Sequence, residues 1–470
     1  MLFPTLDFLL FFLVVALASW VLRDRFEARK LFLVAASYFF YAQWNWRFCF
    51  LLAGSSLVSY AAGLAIAYSP EARRRRLILA GAVTIHLLVL GTFKYFDFFV
   101  ESFNEIGHRL GLARELPFFE IILPVGISFF TFHGISYVTD VYRGDVPVCR
   151  RFTDMLLYIS FFPQLVAGPI VRASYFLPQL VRPAERGLPL GPALVLILGG
   201  LFKKVVIANY LATDLVDPVF AAPLDQTGPD LLFAAYGYAV QIYCDFSAYS
   251  DMAIGLAAML GFRFPRNFDQ PYRSQRLSEF WRRWHISLSS WLRDYLYIPL
   301  GGNRKGALRT YANLLITMLL GGLWHGASLK FVFWGALHGG GLAVERMIEP
   351  LIGAAPKSFL GKFVSTLIVF HFVCLGWIFF RAESFDTAWL YLGALSSGWN
   401  AGLIQTAPFT LGLIVIGMAG QFAPRYWLDK VATGVGTMPY WSQGALAGLV
   451  IAFIDALGPD GVAPFIYFQF

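Results

Sequence analysis

Two histidines lie in apolar stretches of this sequence, where a side chain that can carry charge is costly unless it has a partner or a task. His325 ends an apolar run, and Gly321, Gly322 and Gly326 around it would let another helix or a substrate approach closely. His338 follows in the next apolar stretch. Because histidine exchanges protons near neutral pH, this pattern indicates a proton-transfer centre inside a membrane. The alternative is a buried histidine that only forms structural hydrogen bonds.

A third histidine, His285, lies in residues 271–305, where aromatic and basic residues are concentrated. Apolar side chains recur around it every three or four residues. This spacing predicts one amphipathic helix at the cytoplasmic interface, with its tryptophans at headgroup depth. The residues that form the pattern are Leu277, Phe280, Trp281, Trp284 and Leu288.

Carboxylates and helix-breaking residues mark three further segments. Asp245 and Asp251 stand between two apolar stretches, with tyrosines and serines beside them. Paired carboxylates can serve acid–base chemistry, but a helix cap near Asp251 or salt bridges to the nearby basic loop would also explain them. Pro124 and Gly126 interrupt another apolar segment, and 162–170 contains two prolines, a glycine and a glutamine. The composition of 162–170 predicts a re-entrant loop that lines a cavity.

The composition decides which class of protein carries these residues. Only 14% of the 470 residues are charged and 58% are hydrophobic, against roughly 25% and 45–50% in soluble proteins. So much apolar surface excludes a soluble fold, the aromatic content excludes disorder, and four isolated cysteines exclude a disulfide scaffold. The sequence contains no P-loop and no cluster of metal ligands. It therefore predicts an all-α polytopic membrane protein.

Apolar segments predict about 11–13 transmembrane crossings within one integral domain over 1–470. The candidate spans are 6–22, 31–42, 48–68, 77–98, 118–140, 190–213, 229–245, 246–262, 309–329, 330–347, 359–380, 405–423 and 442–458. The net charge of +8 comes from 37 Lys and Arg against 29 Asp and Glu, and the basic residues cluster in short loops. By the positive-inside rule these loops are cytoplasmic, which predicts that both termini are outside and that nucleic acid is not a partner.

Several motifs, in this order, resemble the membrane-bound O-acyltransferase family and, within it, the alginate O-acetyltransferase branch. The core motifs fall within 120–345 and read LPVGISF (123–129), DVYRG (140–144), AGP (167–169), YCDFSAYSD (243–251), EFWRRWHISL (279–288), WLRDYLY (291–297), LGGNR (300–304) and GGLWHG (321–326). The resemblance covers roughly residues 5–385. It implies a ring of transmembrane helices, with re-entrant or interfacial helices, around a central funnel.

The resemblance also implies roles for individual residues. The family's signature histidine matches His325, which would act at the reaction centre as a general base or as a stabiliser of the transition state. A second family position matches His285, which would line the cytoplasmic entrance where a thioester donor docks. The donor would be acetyl-CoA or another acetyl thioester, with no bound cofactor and no metal. Four arginines could hold the phosphates of coenzyme A or anchor the chain at the membrane surface: Arg282, Arg283, Arg293 and Arg304.

The last six residues, 465–470, read FIYFQF. They resemble the Phe-x-Tyr-x-x-Phe motif of bacterial systems that acylate cell-surface polymers, in which the tyrosine receives the acyl group and passes it outward. By that analogy Tyr467 would be a covalent relay. The aromatic content by itself also fits an anchor at the membrane interface.

Together these features predict an enzyme of the bacterial inner membrane that carries acetyl from a cytoplasmic thioester to the outer side. The acetyl group would go to an exported polysaccharide such as alginate, cellulose or peptidoglycan. The expected partners are membrane lipid, a periplasmic or membrane-anchored SGNH-type acetyltransferase, and a polysaccharide synthase or export complex. Two alternatives are a secondary transporter, although no inverted repeat is apparent, and a structural subunit of an export complex.

Overall fold

The computed structural model describes residues 3–111, 117, 121–181, 190–353, 356–400, 404–459 and 465. Throughout these residues the chain forms helices and no β-strand, which confirms the all-α membrane protein. The described helices long and apolar enough to cross a membrane are Phe48–Tyr68, Ala72–Lys94, Leu190–Ala221, Phe359–Arg381 and Tyr440–Leu457. Two shorter apolar helices are Leu6–Val21 and Pro408–Ala419. The count of 11–13 crossings and the ring around a funnel remain predictions.

The helices form two compact units, and the first comprises residues 1–188 and 257–264. Its helices are α1 (Leu6–Val21), α2 (Phe26–Asn45), α3 (Phe48–Tyr68), α4 (Ala72–Lys94), α5 (Phe96–Arg109), α6 (Ile127–Arg143), α7 (Phe152–Ser160), α8 (Phe162–Leu165) and α9 (Ala173–Phe176). The interruption predicted at Gly126 is present, whereas the re-entrant loop over 162–170 stays a prediction. Gly126 adopts a left-handed φ of 76° just before α6, and a Cβ there would lie 2.3 Å from the Leu165 carbonyl oxygen. The apolar run after 152 is divided among α7, α8 and α9 instead of forming one span.

The second unit comprises residues 189–256 and 265–470. Its helices are α10 (Leu190–Ala221), α11 (Gly228–Met259), α12 (Leu277–Arg283), α13 (Ile286–Leu292), α14 (Ala307–His325), α15 (Leu329–Ile352), α16 (Phe359–Arg381), α17 (Phe385–Ser397), α18 (Pro408–Ala419), α19 (Arg425–Thr437) and α20 (Tyr440–Leu457). Two π-helical segments, Phe202–Ala208 and Ala212–Val216, lie within α10. This unit holds all three histidines with which the sequence analysis began.

The two spans expected over 229–245 and 246–262 are wrong, because α11 runs unbroken from Gly228 to Met259. Asp251 is therefore inside a helix and does not cap one. Its carboxylate lies 2.5 Å from the Lys203 Nζ, and the Asp245 Oδ1 lies 2.7 Å from the Lys204 Nζ. These ion pairs confirm salt bridges as the explanation, but their partners are lysines of α10 and not residues of the nearby basic loop. Because lysines of α10 satisfy both carboxylates, the helix needs no turn at this polar stretch.

The single amphipathic helix expected over 277–288 is also wrong. The helix is interrupted at His285, which has a left-handed φ of 43° and separates α12 from α13. Backbone groups freed by the break are satisfied by residues 267–269, since the Asp269 N–H donates to the Arg283 carbonyl at 2.9 Å and the Ile286 N–H to the Asn267 carbonyl at 2.8 Å. Trp284 is 1% exposed and packs inside the protein instead of at headgroup depth.

Glycines bring α14 and α15 into close contact, which places His325 at the end of a tight helical hairpin. A Cβ on Gly322 would lie 2.2 Å from the Phe331 carbonyl oxygen, and one on Gly335 would lie 2.3 Å from the Met318 carbonyl oxygen. Only glycine permits two helix backbones to approach so closely. Helix packing thus explains the glycine at position 322.

Candidate active site

His325 is the last residue of α14 and is 4% exposed. Three aromatic rings surround its imidazole, all nearly perpendicular to it. The ring centroids lie at 5.0 Å for Trp324, 5.1 Å for Trp334 and 5.2 Å for Phe380. Such edge-to-face packing restricts the orientation of the imidazole and keeps bulk water away from it.

A cavity of about 230 Å³ opens beside His325. One face of α14 forms a wall of it, with Leu314, Met318 and Gly321 at helical spacing below the histidine. The other lining residues are Trp281, Leu288, Ser289, Leu292, Arg293, Tyr297, Thr317, Trp334 and Leu342. Ligand pockets commonly enclose ~300–1,000 Å³, so this one suits the end of a ligand and not a whole nucleotide.

His285 occupies the break between α12 and α13 and has no solvent exposure. Its Nδ1 lies 3.2 Å from the Asn267 Oδ1. The same amide oxygen accepts from the Ser287 N–H at 3.1 Å, and the Asn267 amide nitrogen donates to the Ser250 hydroxyl at 3.0 Å. This arrangement makes the amide oxygen the acceptor and the imidazole Nδ1–H the donor.

The other ring nitrogen of His285, Nε2, has no hydrogen-bond partner among the described residues. Burial lowers the pKa of His285 to about 3, so the ring is neutral at physiological pH and Nε2 carries a lone pair. Phe246 packs edge-on against the imidazole at 4.6 Å, and Trp324 lies 6.0 Å away. Trp324 therefore contacts both His285 and His325.

The four arginines do not form one cluster. Arg293 lines the cavity beside His325 and pairs with Asp294 at 2.7 Å. Arg283 is neutralised by Glu279 at 2.8 Å and Asp269 at 3.5 Å. Arg282 and Arg304 are exposed and do not line the cavity. The structure thus brings one of the four arginines to the histidine.

Tyr467 lies outside the described residues, but Phe465 is described. The Phe465 side chain is fully buried, and its ring lies 4.1 Å from Tyr249 and 6.0 Å from Phe246. Phe246 is the ring that packs against His285. The residue two positions before Tyr467 therefore lies one aromatic ring away from a candidate catalytic histidine.

Sequence reasoning missed Asn267 and Trp334. Asn267 lies in an irregular segment 18 residues before His285, and nothing in the local pattern connects the two. Trp334 could have been found, because it precedes His338 by one helical turn in the apolar stretch after His325. In the described part of the chain, no three His, Cys, Asp or Glu residues are grouped as metal ligands.

Residues 150–382 match the model of MBOAT, the membrane-bound O-acyltransferase family. The chain is 40% identical to the probable alginate O-acetylase of Azotobacter vinelandii, with all of both chains covered. The chain belongs to the membrane-bound O-acyltransferase family. It is 45% identical to the probable alginate O-acetylase of Pseudomonas aeruginosa over 87% of this chain and 78% of that protein. It is 37% identical to the peptidoglycan O-acetyltransferase of Helicobacter pylori over 83% of this chain and 78% of that one.

Membership in the family identifies the chain as a membrane O-acyltransferase and sets aside the transporter and structural-subunit alternatives. The family match spans Asn267, His285, Arg293 and His325. Phe465 lies beyond it, although the Azotobacter relative aligns over the whole chain.

Proposed function

We propose that this enzyme takes acetyl from a cytoplasmic thioester, acetyl-CoA or a similar donor, and moves it across the bacterial inner membrane to an exported polysaccharide. The observation that carries the proposal is His325 at an apolar cavity large enough for an acyl end. The relatives described as alginate O-acetylase and peptidoglycan O-acetyltransferase supply the polymer class.

The proposed chemistry at His325 is the transfer of acetyl from the thioester sulfur to a hydroxyl oxygen. An acceptor hydroxyl attacks the thioester carbonyl while the imidazole takes the hydroxyl proton. The carbon–sulfur bond then breaks, and the imidazolium returns that proton to the leaving thiolate. A dry site favours this step, because Trp324, Trp334 and Phe380 exclude water that would hydrolyse the thioester.

Tyr467 is the proposed first acceptor. Its phenol would form an ester with the acetyl group, which an SGNH-type partner then transfers to a polysaccharide hydroxyl. The burial of Phe465 against Tyr249 and Phe246 supports this role, because it anchors the residue two positions before Tyr467 beside the ring that packs against His285.

Arg293 is the proposed contact for the donor phosphates, because it alone of the four arginines lines the cavity. His285 would face the donor with its bare Nε2. Arg282 and Arg304 are exposed and could extend the contact. Arg283 is the least available for a phosphate, because it is already paired with Glu279 and Asp269.

The expected topology, with cytoplasmic basic loops and both termini outside, belongs to the same proposal, as does the single integral domain over 1–470.

The test is polymer-bound acetate in cells that carry His325→Ala at normal protein level. We expect acetylation to be abolished, whereas His371→Ala should have no effect, because that histidine is exposed and bonded to Tyr236 at 2.7 Å. Full acetylation in the His325 variant would refute the proposal. Tyr467→Phe separates the relay from the anchor: the relay requires the phenol oxygen, and the anchor does not.

A further inference from the structure

His338 is a buried imidazole that the proposed reaction does not use. It lies on α15, one turn after Trp334 and one turn before Leu342, and both of these neighbours line the cavity. Its side chain has no solvent exposure. Neither of its ring nitrogens has a hydrogen-bond partner in the described part of the chain. Buried polar groups are rarely left in this state, so a small polar ligand is indicated.

A second unpartnered group lies beside it. The Trp334 indole nitrogen is also buried and has no partner among the described residues. Both nitrogens face Gly376 on α16: a Cβ at that glycine would lie 2.8 Å from the His338 Nε2 and 3.4 Å from the Trp334 Nε1. The two nitrogens are therefore at most 6.2 Å apart, the sum of these distances. One water that hydrogen-bonds to both at ~2.8–3.0 Å bridges nitrogens up to about 6 Å apart, which covers nearly all of this range.

The chemistry of the two groups is complementary around such a water. The indole N–H can only donate, whereas a neutral imidazole nitrogen can accept. A water that accepts from Trp334 and donates to His338 Nε2 would satisfy the indole N–H and one of the two ring nitrogens. Trp281 also packs against His338, with its ring 5.2 Å away and nearly perpendicular to the imidazole.

Trp334 connects this cluster to the reaction centre. Its ring lies 4.7 Å from His338 on one side and 5.1 Å from His325 on the other. A tryptophan fixed by a hydrogen bond holds one orientation, and the imidazole that packs on it is then fixed as well. A tryptophan held by packing alone would keep more freedom.

We propose that His338 is a positioning residue for acyl transfer: its imidazole and the Trp334 indole N–H share one buried water, which fixes Trp334 against His325. The inference rests on the proposed role of His325. It assigns to the His338 imidazole a hydrogen-bonding role in addition to its packing.

The test compares two replacements of His338 by polymer-bound acetate per unit of enzyme in the membrane. His338→Phe keeps an aromatic ring and removes both nitrogens, and we expect acetylation to fall about 10- to 100-fold. His338→Asn is smaller but restores a polar partner, so it should recover most of the activity. His371→Phe on α16 is the matched control and should behave like the wild type.

Three outcomes would overturn the inference, and each is distinct. Wild-type acetylation in His338→Phe would mean that only ring packing matters. Equal loss in His338→Phe and His338→Asn, at unchanged melting temperature, would mean that volume and not polarity matters. Wild-type acetylation in His325→Ala in the same assay would overturn the proposed function itself, whatever the His338 variants do.

Discussion

The amide of Asn267 is predicted to fix His285 for its role. In Asn267→Ala, the His285 Nδ1–H and the Ser287 N–H lose a buried acceptor that now lies 3.2 and 3.1 Å away. The Ser287 hydroxyl, which donates to the same oxygen at 2.8 Å, can rotate and is left out of the estimate. Each unsatisfied donor costs about 1–3 kcal/mol, so the free energy of unfolding should fall by about 2–6 kcal/mol. With its ring no longer held, His285 should support about 10- to 100-fold less acetyl transfer. The measurements are polymer-bound acetate and the melting temperature of the purified protein.

Ser250→Ala is the matched control for this prediction. It removes the hydroxyl that accepts from the Asn267 amide nitrogen at 3.0 Å but leaves the contact with His285 in place. The cost should be about 1–3 kcal/mol, because one buried donor loses its acceptor, with transfer nearly intact. The reasoning would be refuted if Asn267→Ala retained full acetylation while His285→Ala lost it, because His285 would then be oriented by something other than this amide.

Three further predictions concern stability and packing. Burial lowers the pKa of His285 from its ordinary 6.5 to about 3, so between these values the unfolded chain binds more protons. The melting temperature should therefore fall as pH drops through this window, and less steeply in His285→Gln. Gly322→Ala should lower protein yield sharply, because its Cβ would lie 2.2 Å from a carbonyl oxygen of α15, whereas Gly340→Ala meets nothing within 4 Å and should be tolerated. Lys204→Met should cost about 3–5 kcal/mol of unfolding free energy by breaking the buried ion pair with Asp245, and the added change Asp245→Leu should restore much of it in chemical denaturation.

Hydropathy alone predicted the class of protein and the location of its polar residues. Those predictions succeeded because burial in lipid or protein is a property of each segment by itself. The interruption at Gly126 was predictable for a similar reason, since proline and glycine restrict or free the backbone locally.

The errors occurred where a distant segment satisfies a polar group. The continuous helix α11 could not be predicted, because the partners of Asp245 and Asp251 are lysines 41 and 48 residues earlier in the chain. The break at His285 could not be predicted either, because residues 267–269 take up the backbone groups that the break exposes. Helical periodicity records which face is apolar and contains no information about such partners.

The sequence by itself determined that this is a membrane protein, and its motifs resembled an acyltransferase family centred on His325. The tertiary structure decided which neighbours His325 has. These are a cavity that Arg293 also lines and aromatic rings that include Trp334. Close packing of α14 and α15 at glycines fixes its position. It also decided that Asn267 holds His285. The physical reason is that hydrophobicity is a property of each residue, whereas the partner of a buried polar group is set only when the chain has folded.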